Sequence, residues 1–292
     1  MLNVLLILLI IRKVLASDHY DTDPNRLVPE IGPHYLNNFI VIPEYKLLFC
    51  YIEKVGCTSF NHLFVNLRNK TWGSKDGGWY SNSPQALGLT QLDIQGMVGN
   101  PEWEKAVFYR HPLDRFLSAY KSKCEEGPHR DGDGSTHCQQ ALGVSGLALQ
   151  NKTAAFQTVV NRIKTMDNPY KKQNMDPHWA PQSEFCGGIT KNIQFYQTIE
   201  FFQPATLRHK TIKLLNKVGV KNPSAIPHFE ETFSLNPHEK QRQTGAADAA
   251  NEYFSNKKVA EDIIKFYLPD YLLFGIPIRS VALDWISTIL HD

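Results

Sequence analysis

The chain lacks the signatures of several large classes of protein. It has no G-x-x-x-x-G-K-[ST] motif, so it is not a Walker-type nucleotide triphosphatase. No apolar run reaches the roughly 20 residues of an ordinary membrane span. Leu2 to Ile11 comes nearest, broken by Asn3 and followed by Arg12 and Lys13. One sign of charge is not in excess either. Lys and Arg number 31 and Asp and Glu 29, a net charge of +2, which argues against a nucleic-acid binder with a clustered basic face. Internal repeats, heptads and low-complexity tracts are absent, which excludes solenoids and coiled coils. What remains is ordinary for a globular protein: 292 residues, 42% hydrophobic and 21% charged. That length holds one large domain, or a domain with a smaller lobe.

Cysteine is scarce. The five residues Cys50, Cys57, Cys124, Cys138 and Cys186 allow at most two internal disulfides and leave one thiol over. Cys124 and Cys138 flank a polar, Gly-rich loop, Glu125 to His137, that a disulfide would close. A zinc site from Cys124, His129, His137 and Cys138 is the competing reading, but its spacing matches no standard ligand pair. Disulfides suit the secretory pathway. So does the N-terminus, where an apolar run of about 10 followed by Val14-Leu15-Ala16 fits a signal peptide. No Lys or Arg precedes the run, which keeps a short, uncleaved signal-anchor open. Asn69-Lys70-Thr71 and Asn151-Lys152-Thr153 add two glycosylation patterns. The expected organisation is a signal or anchor over 1–16, a stem over 17–38 punctuated by Pro24, Pro29 and Pro33, and one domain over 39–292.

The most informative stretch runs from Leu47 to Leu67. Leu47 to Ile52 is a short apolar run, as in a buried strand. Phe60, Leu63, Phe64 and Leu67 then recur at i, i+3, i+4 and i+7, as on one face of a helix. Between them lies Glu53-Lys54-Val55-Gly56-Cys57-Thr58-Ser59. The first N–H groups of a helix have no internal partner and carry partial positive charge. A strand, a Gly-containing turn and a helix N-terminus therefore make an anion site. Lys54 adds a full charge, and Thr58 and Ser59 add hydroxyl donors.

The pattern repeats from Lys105 to Cys124. Ala106 to Tyr109 reads as a strand, and Pro112 suits the first turn of a helix. Leu113, Phe116, Leu117 and Tyr120 form its apolar stripe. Two strand–turn–helix units imply a parallel α/β sheet with ligands beyond the strand C-termini. Arg110 stands at that edge, with Arg115 and Ser118 off the stripe, and Arg110 with Ser118 can clamp a second phosphate. A third stretch, Met175 to Cys186, holds Pro177 and Pro181 and is no regular helix. It carries His178, a candidate general base. Helices are expected over Leu87 to Val98, Thr153 to Met166, Leu207 to Val218, Glu252 to Tyr267 and Val281 to Leu290, and a strand over Ile193 to Ile199.

Together these stretches carry a family resemblance. YIEKVGCTSFNHLF resembles the 5′-phosphosulfate-binding loop of sulfotransferases. VFYRHPLDRFLSAYKSKC resembles their 3′-phosphate-binding segment, and HWAPQSEFC a segment of Golgi carbohydrate sulfotransferases of the chondroitin/dermatan 4-O and HNK-1 type. The match covers Leu47 to Phe202 in order and spacing, and looks like a divergent, nematode-like branch. The resemblance implies a P-loop-like parallel sheet flanked by helices and a co-substrate, 3′-phosphoadenylyl sulfate, with no metal. It assigns Lys54, Val55, Gly56, Cys57, Thr58 and Ser59 to the phosphosulfate cradle, and Arg110 and Ser118 to the 3′-phosphate. It implies a glycan or proteoglycan acceptor and the Golgi lumen, with a possible membrane anchor. Lys54 and His178 are the expected catalytic residues, with His62 and Glu53 as rivals for the base. His111 stands where the family has an acid. A non-glycan acceptor, or a secreted binder with the fold but no activity, are the alternatives.

Overall fold

The computed structural model describes residues 28–74, 77–125, 134–145, 147, 150–233 and 246–278. The expected signal segment, residues 17–27 of the stem and the C-terminal helix over Val281 to Leu290 lie outside these residues.

A four-stranded sheet in the order β1-β2-β3-β4 forms the centre: β1 Phe39–Ile42, β2 Leu47–Cys50, β3 Glu104–Tyr109 and β4 Thr198–Phe201. Strands β2, β3 and β4 are parallel, with Cys50 opposite Val107 and Tyr109 opposite Phe201. Strand β1 adds an antiparallel edge, Phe39 opposite Cys50. Every residue of β1 and β2 is buried, as unbroken apolar runs predict for strands covered on both faces. The fourth strand lies later than the apolar run suggested. Ile193–Phe195 is a 3₁₀ turn, and pairing starts only at Thr198.

Twelve helices surround this sheet among the described residues. The first half contributes α1 Cys57–Leu67, α2 Gln91–Gly99, α3 Pro112–Lys123, α4 Gly134–Leu142, α5 Lys152–Lys164 and α6 Pro169–Gln173. The second half contributes α7 Phe185–Asn192, α8 Pro204–Lys217, α9 Phe229–Thr232, α10 Ala246–Tyr253, α11 Lys257–Phe266 and α12 Leu268–Leu273. The single helix expected over Glu252 to Tyr267 is two, because Asn256 caps α11 by accepting from the Lys258 N–H at 3.0 Å.

Aromatic side chains join the layers. Phe60 on α1 packs against Phe49 of β2 and Phe108 of β3, with centroids 4.5 and 5.0 Å apart. Phe116 on α3 meets Trp179 edge-on at 5.4 Å and Phe156 of α5 at 5.6 Å. Edge-on and tilted pairs suit the ring quadrupoles, and the dispersed burial supplies most of the stabilisation.

The segment read as a stem ends in contact with the domain. Gly32 N–H donates to Gly187 O at 2.8 Å, Gly187 N–H to His34 O at 3.0 Å, and Tyr35 stacks on Phe185 at 4.8 Å. Its last residues therefore dock on α7 rather than link freely. Both disulfides form: Cys124–Cys138, as the loop suggested, and Cys50–Cys186 across 136 residues of sequence. Cys124 and Cys138 are thus unavailable to zinc, and no metal-binding cluster occurs among the described residues. Cys57 is the thiol left over.

Candidate active site

The two turns at the C-terminal ends of β2 and β3 meet. Lys54 and Gly56 both take left-handed backbone, φ 68° and 71°. Gly56 has a second reason to be glycine: a Cβ there would lie 2.9 Å from the Phe202 ring. This sharp turn aims the start of α1 at the strand ends. The helical ladder begins with Phe60 N–H donating to Gly56 O at 3.0 Å. The N–H groups of Cys57, Thr58 and Ser59 therefore lie ahead of the ladder, in the first turn of α1. Gly56 caps this helix with no side-chain hydrogen bond, so no N-cap side chain satisfies these donors.

Arg110, at the end of β3, donates from Nη1 to the carbonyl of Lys54 at 3.2 Å. Its guanidinium lies 5.7 Å from the Phe202 ring centroid. Burial lowers the Arg110 pKa, and Asp114 on the first turn of α3 opposes that shift. His111 itself is buried, its ring edge-on to Tyr271 at 5.5 Å. Burial also brings the Lys54 ammonium down to about 8, with Lys123 and Arg110 pushing the same way. Lys123, from the last turn of α3, is a cation that the sequence alone did not assign to the site. Ser118, on the same helix, is buried at 4% exposure.

Gln182 fixes Arg110 in place. It accepts from the Arg110 N–H at 2.9 Å and donates to the Arg110 carbonyl at 2.8 Å. Asp270 of α12 holds Gln182 in turn, accepting from the N–H groups of Gln182 and Ser183, each at 2.9 Å. Burial pushes the Asp270 carboxyl up, and those two N–H groups counter it. The C-terminal third, which carries little readable motif, thus holds the backbone of Arg110 through Gln182.

Arg115 ties the third stretch to the first. It donates to the carbonyls of Glu53 at 2.8 Å, Ala180 at 2.6 Å and Pro177 at 2.9 Å. Spacing alone placed it off the apolar stripe; the fold makes it a buried brace, 1% exposed. The Cys50–Cys186 disulfide pins the other end of the same loop to β2. His178 sits in this loop, its Nδ1 2.8 Å from Asp176 Oδ1. A carboxylate on Nδ1 fixes the tautomer and leaves Nε2 as the basic nitrogen of the neutral ring. The rivals are placed otherwise. His62 packs against Trp72, centroids 3.8 Å apart and planes tilted by 34°, and Glu53, 5% exposed, hydrogen-bonds the Cys57 thiol. That thiol is pushed up to about 12 by burial and by Glu53, so it stays protonated.

A cavity of about 390 Å³ opens beside this edge, lined by Tyr109, His111, Phe201 and Gly275 to Pro277. Tyr109 and Phe274 stack there at 4.3 Å, nearly parallel.

Known proteins share this arrangement of sequence. Carbohydrate sulfotransferase 9 of Homo sapiens is 22% identical over 83% of this chain and 54% of its own length. Carbohydrate sulfotransferase 8 of Homo sapiens is 19% identical over 84% of the chain and 57% of its own. Carbohydrate sulfotransferase 14 of Danio rerio is 20% identical over 86% of the chain and 65% of its own. The chain spans between half and two thirds of the length of these relatives. No solved structure matches it. The model of the sulfotransferase family matches residues 37–277, which takes in the sheet, the turns at Lys54 and Arg110, the His178 loop and α12. On that span the chain belongs to the sulfotransferase family.

Proposed function

We propose that the protein transfers a sulfuryl group from 3′-phosphoadenylyl sulfate to a carbohydrate hydroxyl in the lumen of the Golgi. The observation that carries this reading is the junction of two cation-bearing turns, joined by the Arg110–Lys54 hydrogen bond. A donor with charge at two separated positions needs two such anchors. The 5′-phosphosulfate lies in the Lys54–Ser59 cradle and the 3′-phosphate against Arg110 and Ser118. The cavity beside Tyr109 and His111 offers room for the flat adenine. The names of the similar proteins support a carbohydrate acceptor.

Transfer proceeds in line from the phosphate oxygen to the acceptor oxygen. Negative charge grows on the leaving phosphate, where Lys54 and the first N–H groups of α1 stand fixed. Donors aimed where charge develops stabilise the transition state more than the ground state. His178 Nε2 takes the acceptor proton, and Asp176 stabilises the imidazolium that forms. Unsulfated chondroitin, bearing galactosamine 4-hydroxyls, is the first acceptor to try. Calorimetry of donor binding tests the reading at its root: binding is expected, and a folded, oxidised protein that binds no donor would reduce it to a fold without the activity.

A further inference from the structure

Asp176, the partner of His178, is also a wall of a second cavity, of about 210 Å³. Arg162 from α5 and Lys171 from α6 reach the same cavity, over a floor that includes Met166 and Met175. Both cations are held by neutral oxygens. Arg162 donates from Nε to Leu142 O at 2.6 Å and from Nη1 to Thr165 Oγ1 at 3.4 Å. Lys171 donates from Nζ to Thr165 O at 2.9 Å. Their neighbours differ: Lys164 pairs with Asp262 at 2.9 Å, and Lys172 with Asp167 at 2.5 Å. Among the described residues Arg162 and Lys171 make no ion pair, and the one carboxylate lining the cavity, Asp176, is engaged by His178.

We infer that this cavity is an acceptor subsite, in which Arg162 and Lys171 take an anionic substituent, carboxylate or sulfate, of a sugar next to the one that is sulfated. The inference rests on the reading of the chain as a carbohydrate sulfotransferase. Its position follows from the Arg115 brace. Pro177, next to Asp176, and Glu53, next to Lys54, share that one guanidinium. Asp176 both lines the cavity and holds the Nδ1 of His178, so the cavity lies one side chain from the proposed base. Two fixed cations above an apolar floor suit an acid on a carbon ring: the Met side chains cover its carbons, and the Arg fork meets its oxygens. The subsite sets specificity by charge, selecting an acidic glycan over a neutral one.

The test measures the binding of an unsulfated chondroitin hexasaccharide and of its carboxyl-reduced counterpart to the full chain by calorimetry, with and without 3′-phosphoadenosine 5′-phosphate. A third arm uses the carboxyl-reduced, sulfated hexasaccharide to separate sulfate from carboxylate recognition. We expect the wild type to prefer an acidic hexasaccharide by about tenfold, the scale of one charge-assisted contact. Arg162→Ala and Lys171→Glu each remove that preference and leave nucleotide affinity unchanged. Arg162→Ala also frees the Leu142 carbonyl, so Lys171→Glu, at an exposed position, is the variant that keeps the test sound if the first unfolds. No acid preference in the wild type, or an undiminished one in Lys171→Glu, overturns the subsite. Failure of the nucleotide to bind would instead overturn the donor site, while the acid preference is still read without it.

Discussion

The Nη1 of Arg110 donates to the main-chain carbonyl of Lys54 at 3.2 Å, joining the turn after β3 to the turn after β2. The contact spans 56 residues of sequence and brings together the two turns proposed to hold the donor's anionic groups. It also predicts how they divide their work. On the proposed reading Arg110 meets the 3′-phosphate, remote from the sulfuryl group, and acts on donor affinity. Arg110→Ala should weaken donor binding by roughly 10- to 100-fold, the value of a hydrogen-bonded charge on phosphate. Calorimetry with 3′-phosphoadenosine 5′-phosphate reads this directly, and wild-type affinity in the variant would contradict it.

Donor binding should depend on pH through Lys54. Burial first, then Lys123 and Arg110, depress its ammonium from 10.5 to about 8. In the empty protein the unfolded state binds the extra proton between those values, so stability rises with pH from about 8 towards 10.5. A bound anion favours the charged form and raises the pKa again. Affinity should therefore be flat near pH 7 and fall above about 8, with a proton taken up on binding. Lys54→Arg, which keeps its charge throughout, should flatten the profile. Equal pH dependence in the two proteins would rule out Lys54 as the titrating group.

His178→Ala should lose turnover by about 10²- to 10⁴-fold, the range for a general base, with donor affinity kept. Asp176→Asn should lose less, through the wrong tautomer of the ring. Single-turnover kinetics separates the chemical step from binding. Near-normal turnover in His178→Ala would move the base elsewhere.

Breaking Cys50–Cys186 should cost on the order of 2–5 kcal/mol, since it closes a 136-residue span. Urea denaturation of Cys50→Ala/Cys186→Ala measures it. The same variant should lose more activity than stability predicts, because the disulfide holds the His178 loop against β2. Unchanged stability in the double variant would refute its structural role.

The sequence showed the local parts of this site and not the links between them. A strand, a glycine turn and a helix face are each encoded within a dozen residues, so the turn at Lys54 and the strand end at Arg110 were legible. Gly56 was legible as a turn residue; that Phe202 also excludes a Cβ there was not, because Phe202 arrives from β4. The Arg115 brace and the Gln182–Asp270 clamp depend on tertiary approach. The Cys50–Cys186 partnership is of the same kind: five cysteines allow several pairings, and only the fold selects one. The break at Asn256 was misread because apolar periodicity runs across it, while the capping side chain overrides propensity there.

The central claim is sulfuryl transfer to carbohydrate from a donor held at Lys54. It is tested most directly by labelled transfer from 3′-phosphoadenylyl sulfate to a panel of desulfated glycans, with wild type and Lys54→Ala side by side. The account predicts label on at least one glycan with the wild type and none with Lys54→Ala. A donor-binding wild type that labels no carbohydrate, or a Lys54→Ala variant that labels one undiminished, would contradict it.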